Sequence, residues 1–157
     1  MDTLAPVATC RHTKIRIKTE SPTEFVDLTE RLQTLVAEAG IRFGLLNVQT
    51  LHTTTAVVVN ELEPLLLWDF EALLERTASR DAIYRHDDLA ARSGTVAPDE
   101  RINGHAHCRA LFLGASACLN VIDGTLQLGR WQRVFLLELD GPRAREVSVL
   151  LVGEAGR

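Results

Sequence analysis

Residues 46–61, Leu-Asn-Val-Gln-Thr-Leu-His-Thr-Thr-Thr-Ala-Val-Val-Val-Asn-Glu, are the strongest constraint on what this chain can fold into. Both ends read as strand, because Val48, Val57, Val58 and Val59 are β-branched and suit a pleated, half-buried surface. The middle does not fit a core strand. Thr50, Thr53, Thr54 and Thr55 bring four hydroxyls, and His52 an imidazole, where an apolar run is expected. Side chains alternate along a strand, so Thr50, His52 and Thr54 are expected on one face. A buried polar stripe is costly unless it is hydrogen-bonded or liganded. Either the strand has one wet face with a satisfied histidine, or the stripe serves a site.

The remaining segments supply the frame. Ile15 and Ile17 alternate with Lys14, Arg16 and Lys18, which predicts a half-exposed strand. Ser21-Pro22-Thr23-Glu24 reads as a capping box, and Phe25, Leu28, Leu32, Leu35, Val36 and Ala39 follow at helical spacing up to Gly40. A second helix is expected from about Glu61 to Ser79, with Pro64 in its first turn. Residues 80–102 show no periodicity, and long loops inside a compact domain are usually functional or mobile. Residues 103–113 read as a short helix with Asn103 near its cap and Gly114 beyond its end. A strand over 117–122 turns at Asp123-Gly124 and returns over 125–128. Residues 133–139 and 146–152 are the last strands. The order predicts a single domain over 1–157, of α+β class, with a largely antiparallel sheet and helices packed on one face.

Composition narrows the function classes. The net charge of −4, with no basic block, gives little support to a nucleic-acid or membrane-surface role. Apolar runs are too short to span a bilayer, and residues 1–10 lack a charged start and an apolar stretch, so no secretory leader is expected. Cys10, Cys108 and Cys118 are odd in number and form no Cys-x-x-Cys pair, which favours reduced thiols in a cytoplasm.

The polar residues at unusual places are His52 in a strand, His86 in the long loop and His107 at a helix start. Three histidines with carboxylates nearby are the makings of a zinc-type site with an open position. Asp87 and Asp88 follow His86 directly and are candidates to orient a ligand imidazole from behind. His105 and His107 diverge if their segment is helical, so one of them faces a common site; both face it if the segment is extended. The bland alternative for each histidine is a packed or exposed side chain.

Several pieces, taken in order, resemble the YjbQ family, also called the secondary thiamine-phosphate synthase family. They are His52-Thr53-Thr54-Thr55-Ala56 with Asn60-Glu61 and Asp69, then Tyr84-Arg85-His86-Asp87-Asp88. Ala106-His107 with Gly114 and Ser116, Leu128-Gly129-x-Trp131-Gln132, and Glu138-x-Asp140-Gly141-Pro142-Arg143 complete the pattern. The sequence departs from it at His105, Cys108 and Arg130, which flank the expected pocket. The resemblance implies a YjbQ-like domain, a homotrimer, and a histidine-lined pocket near a subunit boundary. It implies an enzyme that joins a pyrimidine pyrophosphate to a thiazole phosphate, releasing pyrophosphate. On that reading His52, His86 and His107 hold a divalent metal, while Glu61, Asp69 and Arg143 serve catalysis. Thr53, Thr54, Trp131 and Gln132 contact a phosphorylated substrate, and Asp87, Asp88 and His105 support the ligands. A histidine set suits zinc, nickel or iron, whereas the synthase reaction would call for magnesium. The alternative is a non-catalytic metal- or ligand-binding oligomer that keeps the histidines and lacks turnover.

Overall fold

The computed structural model describes residues 8–92, 94 and 96–155. The leaderless start expected over residues 1–10 therefore lies, up to residue 7, outside the described residues, as do positions 93 and 95 of the long loop. The strands are β1 (Ala8–Lys18), β2 (Glu24–Asp27), β3 (Ile41–Thr50), β4 (Thr55–Asn60), β5 (Ser116–Ile122), β6 (Thr125–Leu126), β7 (Arg133–Glu138) and β8 (Ala144–Ala155). The α-helices are α1 (Thr29–Ala39), α2 (Pro64–Thr77) and α3 (Gly104–Leu113), and a 3-10 turn covers Arg85–Asp87. The expected α+β, largely antiparallel architecture is present. Its strands divide into a five-stranded sheet, β1-β8-β3-β5-β6, and a three-stranded sheet, β2-β7-β4, with every pairing antiparallel.

The main core lies between the two sheets and α1. Ile15, Ile17, Val48, Val147, Val149 and Leu151 enter it from the larger sheet, Val57, Val134 and Leu136 from the smaller, and Leu32 and Val36 from α1. The opposite face of the smaller sheet, with Ala56, Leu137 and Leu139, packs on Leu74 of α2 and Ala106 of α3. β7 is thus covered on both faces, which is why Val-Phe-Leu-Leu reads as an unbroken apolar run. No helix among the described residues is long and apolar enough to cross a membrane.

Two local expectations are corrected. The capping box at Ser21–Glu24 does not start a helix. Glu24 does reach back, accepting from the N–H groups of Glu20 and Ser21, but it closes a turn. Phe25 and Val26 then pair with β7, and the Phe25 ring packs edge-on against Phe135 at 5.6 Å. Tertiary pairing wins there, and α1 begins only at Thr29. Likewise, residues 46–61 are not one continuous strand. The chain leaves the larger sheet at Thr50, turns through 51–54 and enters the smaller sheet at Thr55. The threonines hold that turn. The hydroxyls of Thr50 and Thr55 bond each other, and the His52 N–H donates to Thr50 Oγ1 at 3.3 Å.

Candidate functional site

A cavity of about 390 Å³ opens where the 51–54 turn, the 3-10 turn, the start of α3 and the corner before β8 meet. His52, His86 and His107 all line it, with Thr53, Thr54 and Arg143. The polar centre of residues 46–61 is therefore a cavity wall, built by a crossing between sheets.

His86 and His107 come together because α3 and the 3-10 turn pack closely. At Gly104 a Cβ would lie 2.5 Å from Tyr84 Cβ, so a larger residue would push the turn away from the helix. Asp87 fastens the same joint. Its Oδ1 accepts from the N–H groups of Asn103 (3.1 Å) and Gly104 (2.8 Å), capping α3 from outside its own chain segment. The imidazoles of His86 and His107 then stand with centroids 4.6 Å apart. His86 Nε2 is buried and has no hydrogen-bond partner among the described residues. Burial first, and then the neighbouring His86, pushes His107 below the usual histidine range, so its ring is held neutral.

His52 is held differently. Its Nε2 accepts from the backbone N–H of Glu146 at 2.9 Å. Burial, followed by the nearby Arg145 charge, lowers its pKa as well. Among the described residues no three His, Cys, Asp or Glu side chains stand so that they could hold one metal ion. As the chain is folded, two of the three expected ligands, His86 and His107, stand together, and His52 is hydrogen-bonded elsewhere.

The cavity's lining carries more positive than negative charge, and carboxylates behind it, Asp140 and Glu138, offset the excess. Arg92, Arg101, Arg143 and Arg145 line it, together with Asp99 and Glu100. Arg92 pairs with Glu100 at 3.0 Å, and Arg143 pairs with Asp140 at 3.2 Å. Arg101 donates to the carbonyl of Asp140 at 2.9 Å, which ties the 97–103 segment to the corner before β8. Arg145 is buried against Glu138, with Nε 2.6 Å from Oε2, and its Nη2 donates to Thr54 Oγ1 at 3.0 Å. Burial opposes the charge of Glu138. Hydrogen bonds from Arg145, the Asp140 N–H and Thr19 outweigh that and hold its carboxyl below the usual range. Gly141 lets this corner lie against the Ser21 carbonyl, where a side chain would collide with backbone.

Other expected site residues lie elsewhere. β4 and β7 pair in register from Thr55 opposite Glu138 to Asn60 opposite Arg133. The cavity is at the Thr55–Glu138 end. Glu61, Trp131 and Gln132 follow or precede the Asn60–Arg133 end, a strand length of about 20 Å away at ~3.3 Å per residue. Asp69 is exposed on α2, Trp131 is exposed, and the side chain of Gln132 accepts from the N–H of Gly129. None of the four lines the cavity. Asp87 and Asp88 do not orient an imidazole either. The first caps α3, and the second accepts from the Ala91 N–H to close its own turn. His105 is buried away from the lining, its Nε2 lacks a partner among the described residues, and burial, then Arg109, lowers its pKa.

Sequence reasoning missed Arg92, Arg101, Glu100, and above all the Glu138–Arg145 pair. The signal for the pair was present. Arg145 continues the inward-facing register of Val147, Val149 and Leu151, where a charge needs a buried partner.

Residues 13–154 match the family described as UPF0047 protein YjbQ-like. A UPF0047 protein of Methanothermobacter thermautotrophicus is 38% identical over 141 residues, covering 90% of this chain and 91% of the relative. The UPF0047 protein YugU of Bacillus subtilis is 27% identical over 139 residues, covering 88% and 97%. Among solved structures, a YbjQ-like protein of unknown function from Sulfolobus solfataricus superposes with a TM-score of 0.85 at 32% identity, covering 94% of this chain and 100% of that one. A hypothetical protein from Aeropyrum pernix gives 0.81 at 33% identity, covering 92% and 99%.

Proposed function

The chain belongs to the YjbQ-like UPF0047 family, and we propose that its cavity is the catalytic site of a metal-assisted enzyme acting on a small phosphorylated substrate. The observation that carries this reading is the His86–His107 pair, adjacent on the cavity wall with a buried, unpartnered Nε2 on His86. An unpaired buried nitrogen costs on the order of 1–3 kcal/mol, and a bound cation removes that cost. These two imidazoles would hold the ion and leave positions open for water and substrate. Imidazole donors favour zinc, nickel or iron over magnesium. When bound, the ion supplies Lewis-acid charge to the phosphate oxygens.

The protein's own groups do the positioning. Arg143 offers a planar pair of N–H groups suited to a phosphate, and the exposed Thr53 hydroxyl lies on the same wall. Glu138 and Thr54 fix Arg145, so the wall does not reorganise as charge moves. Because the cavity's arginines already face carboxylates, a bound divalent ion would supply much of the charge that a substrate dianion needs. Phosphate binding should therefore follow metal binding. The reaction to assay is the one the resemblance implies, transfer of a pyrimidine from its pyrophosphate to a thiazole phosphate with departure of pyrophosphate.

The assembly proposed is a homotrimer. On the outer face of the larger sheet Leu45 lies opposite Val152, and Leu150 is one step along β8; they are 48%, 43% and 39% exposed. Apolar side chains on an open sheet face fit coverage by another copy. Two measurements test the reading. Calorimetry should find one zinc per subunit, and inorganic pyrophosphate binding only to the loaded protein. Light scattering should give three times the chain mass at micromolar concentration. Protein that takes up no zinc, nickel or iron contradicts the metal site, and a monomer contradicts the assembly.

A further inference from the structure

β3 ends at Thr50, but β8, its neighbour, begins at Ala144 and so extends past that end. The last backbone contact between them is the Leu51 N–H donating to the Glu146 carbonyl at 3.3 Å. The Glu146 N–H has no strand carbonyl left to meet. It donates to His52 Nε2 at 2.9 Å, so the imidazole stands in for the missing carbonyl of β3.

This contact decides which nitrogen carries the proton. Nε2 can accept only if its lone pair is free, so in the neutral ring the hydrogen is on Nδ1. Burial and the Arg145 charge keep the ring neutral. Turning the ring by half a revolution would put Cε1 opposite the Glu146 N–H and leave that donor unpaired. A ligand nitrogen must offer a lone pair, and here one is spent and the other nitrogen is protonated. Nδ1 itself makes no hydrogen bond to a described residue and is not among the buried unpartnered atoms, while the residue lines the cavity.

We propose that His52 is a hydrogen-bond donor to a phosphate oxygen of the cavity's ligand, presenting Nδ1–H, and takes no part in metal coordination. This rests on the reading of the cavity as a phosphorylated-substrate site and gives its third histidine a separate job.

The test uses the full chain labelled with 15N-histidine, read by long-range proton–nitrogen NMR at neutral pH. The His52 signals are assigned as those missing in His52→Gln. They should report the Nδ1–H form. Zinc should move the signals of His86 and His107 and leave the His52 tautomer unchanged. Inorganic pyrophosphate added to the loaded protein should then move His52 Nδ1–H. Glutamine can still accept from Glu146 but offers no donor at the Nδ1 position. His52→Gln should keep its zinc stoichiometry and fold and bind pyrophosphate about 10- to 100-fold more weakly. His52→Asn, with an amide N–H near the Nδ1 position, should recover part of that affinity. An Nε2–H tautomer, a zinc-bound His52, or pyrophosphate that leaves His52 unmoved overturns the proposal. If zinc never binds but pyrophosphate still moves Nδ1–H, the metal reading falls and this one stands.

Discussion

Two stretches of β8 face inward in the same register and are solved in opposite ways. Val147, Val149 and Leu151 enter the core between the sheets, where only packing is asked of them. Arg145, one inward position earlier, is just as buried, yet it is a charge held by Glu138 and Thr54. An apolar pair of similar volume would serve stability as well as a buried ion pair. Along β8 the charge sits where the strand reaches the cavity, and Arg145 is part of the cavity wall.

The largest effect should come from breaking that pair. Arg145→Met leaves Glu138 buried without its counter-charge and should cost about 3–5 kcal/mol in urea unfolding. Adding Glu138→Leu should restore most of it; a single substitution that costs little would mean that the pair is not coupled. On the apolar side, Leu32→Ala opens a cavity under α1 and should cost about 2–5 kcal/mol, with no change in zinc uptake. A loss of zinc there would show that the two regions are not separable.

A smaller loss is expected at the joint of the 3-10 turn. Asp87→Ala removes the cap of α3 and should cost about 0.5–2 kcal/mol. Unlike Leu32→Ala, it should weaken zinc binding, because it loosens His86 from His107. Unchanged zinc affinity would mean that the pair is positioned by packing alone.

The smallest effect is a pH slope. His105 is buried with a folded pKa below its ordinary value of 6.5, burial being the first cause. Between those two values the unfolded chain binds more protons than the folded one. Stability therefore rises with pH through that window, is complete above 6.5, and is lost as pH falls toward the folded value. His52 and His107 shift in the same direction. In metal-free protein, the unfolding midpoint should fall on acidification, and His105→Gln should make the slope shallower. An unchanged slope would assign the acid sensitivity to the other two rings.

The same contrast explains what could be read from the sequence. The apolar region was legible. Alternation located β1 and β8, and Asp123-Gly124 located the β5–β6 turn. Residues 133–139 read as a strand, but its coverage on both faces became visible only in the fold. The cavity was legible only as a set of odd residues. His52, His86 and His107 could be named, but their distances depend on a chain crossing between sheets and on Gly104 admitting Tyr84. Periodicity carries no trace of either. Glu61, Trp131 and Gln132 were grouped with the histidines by motif order, and strand register places them at the other end of the smaller sheet. The Ser21–Glu24 signal was a true local hydrogen-bond pattern attached to the wrong element, because Phe25 gains more by packing on Phe135 than by starting a helix.

The most direct test of the account is anomalous X-ray diffraction at the zinc edge from crystals of zinc-loaded protein. One peak per subunit is expected, within bonding distance of His86 and His107, with His52 Nε2 still facing the Glu146 N–H. A peak bonded to His52, a peak outside this cavity, or no peak in crystals grown with excess zinc would contradict it.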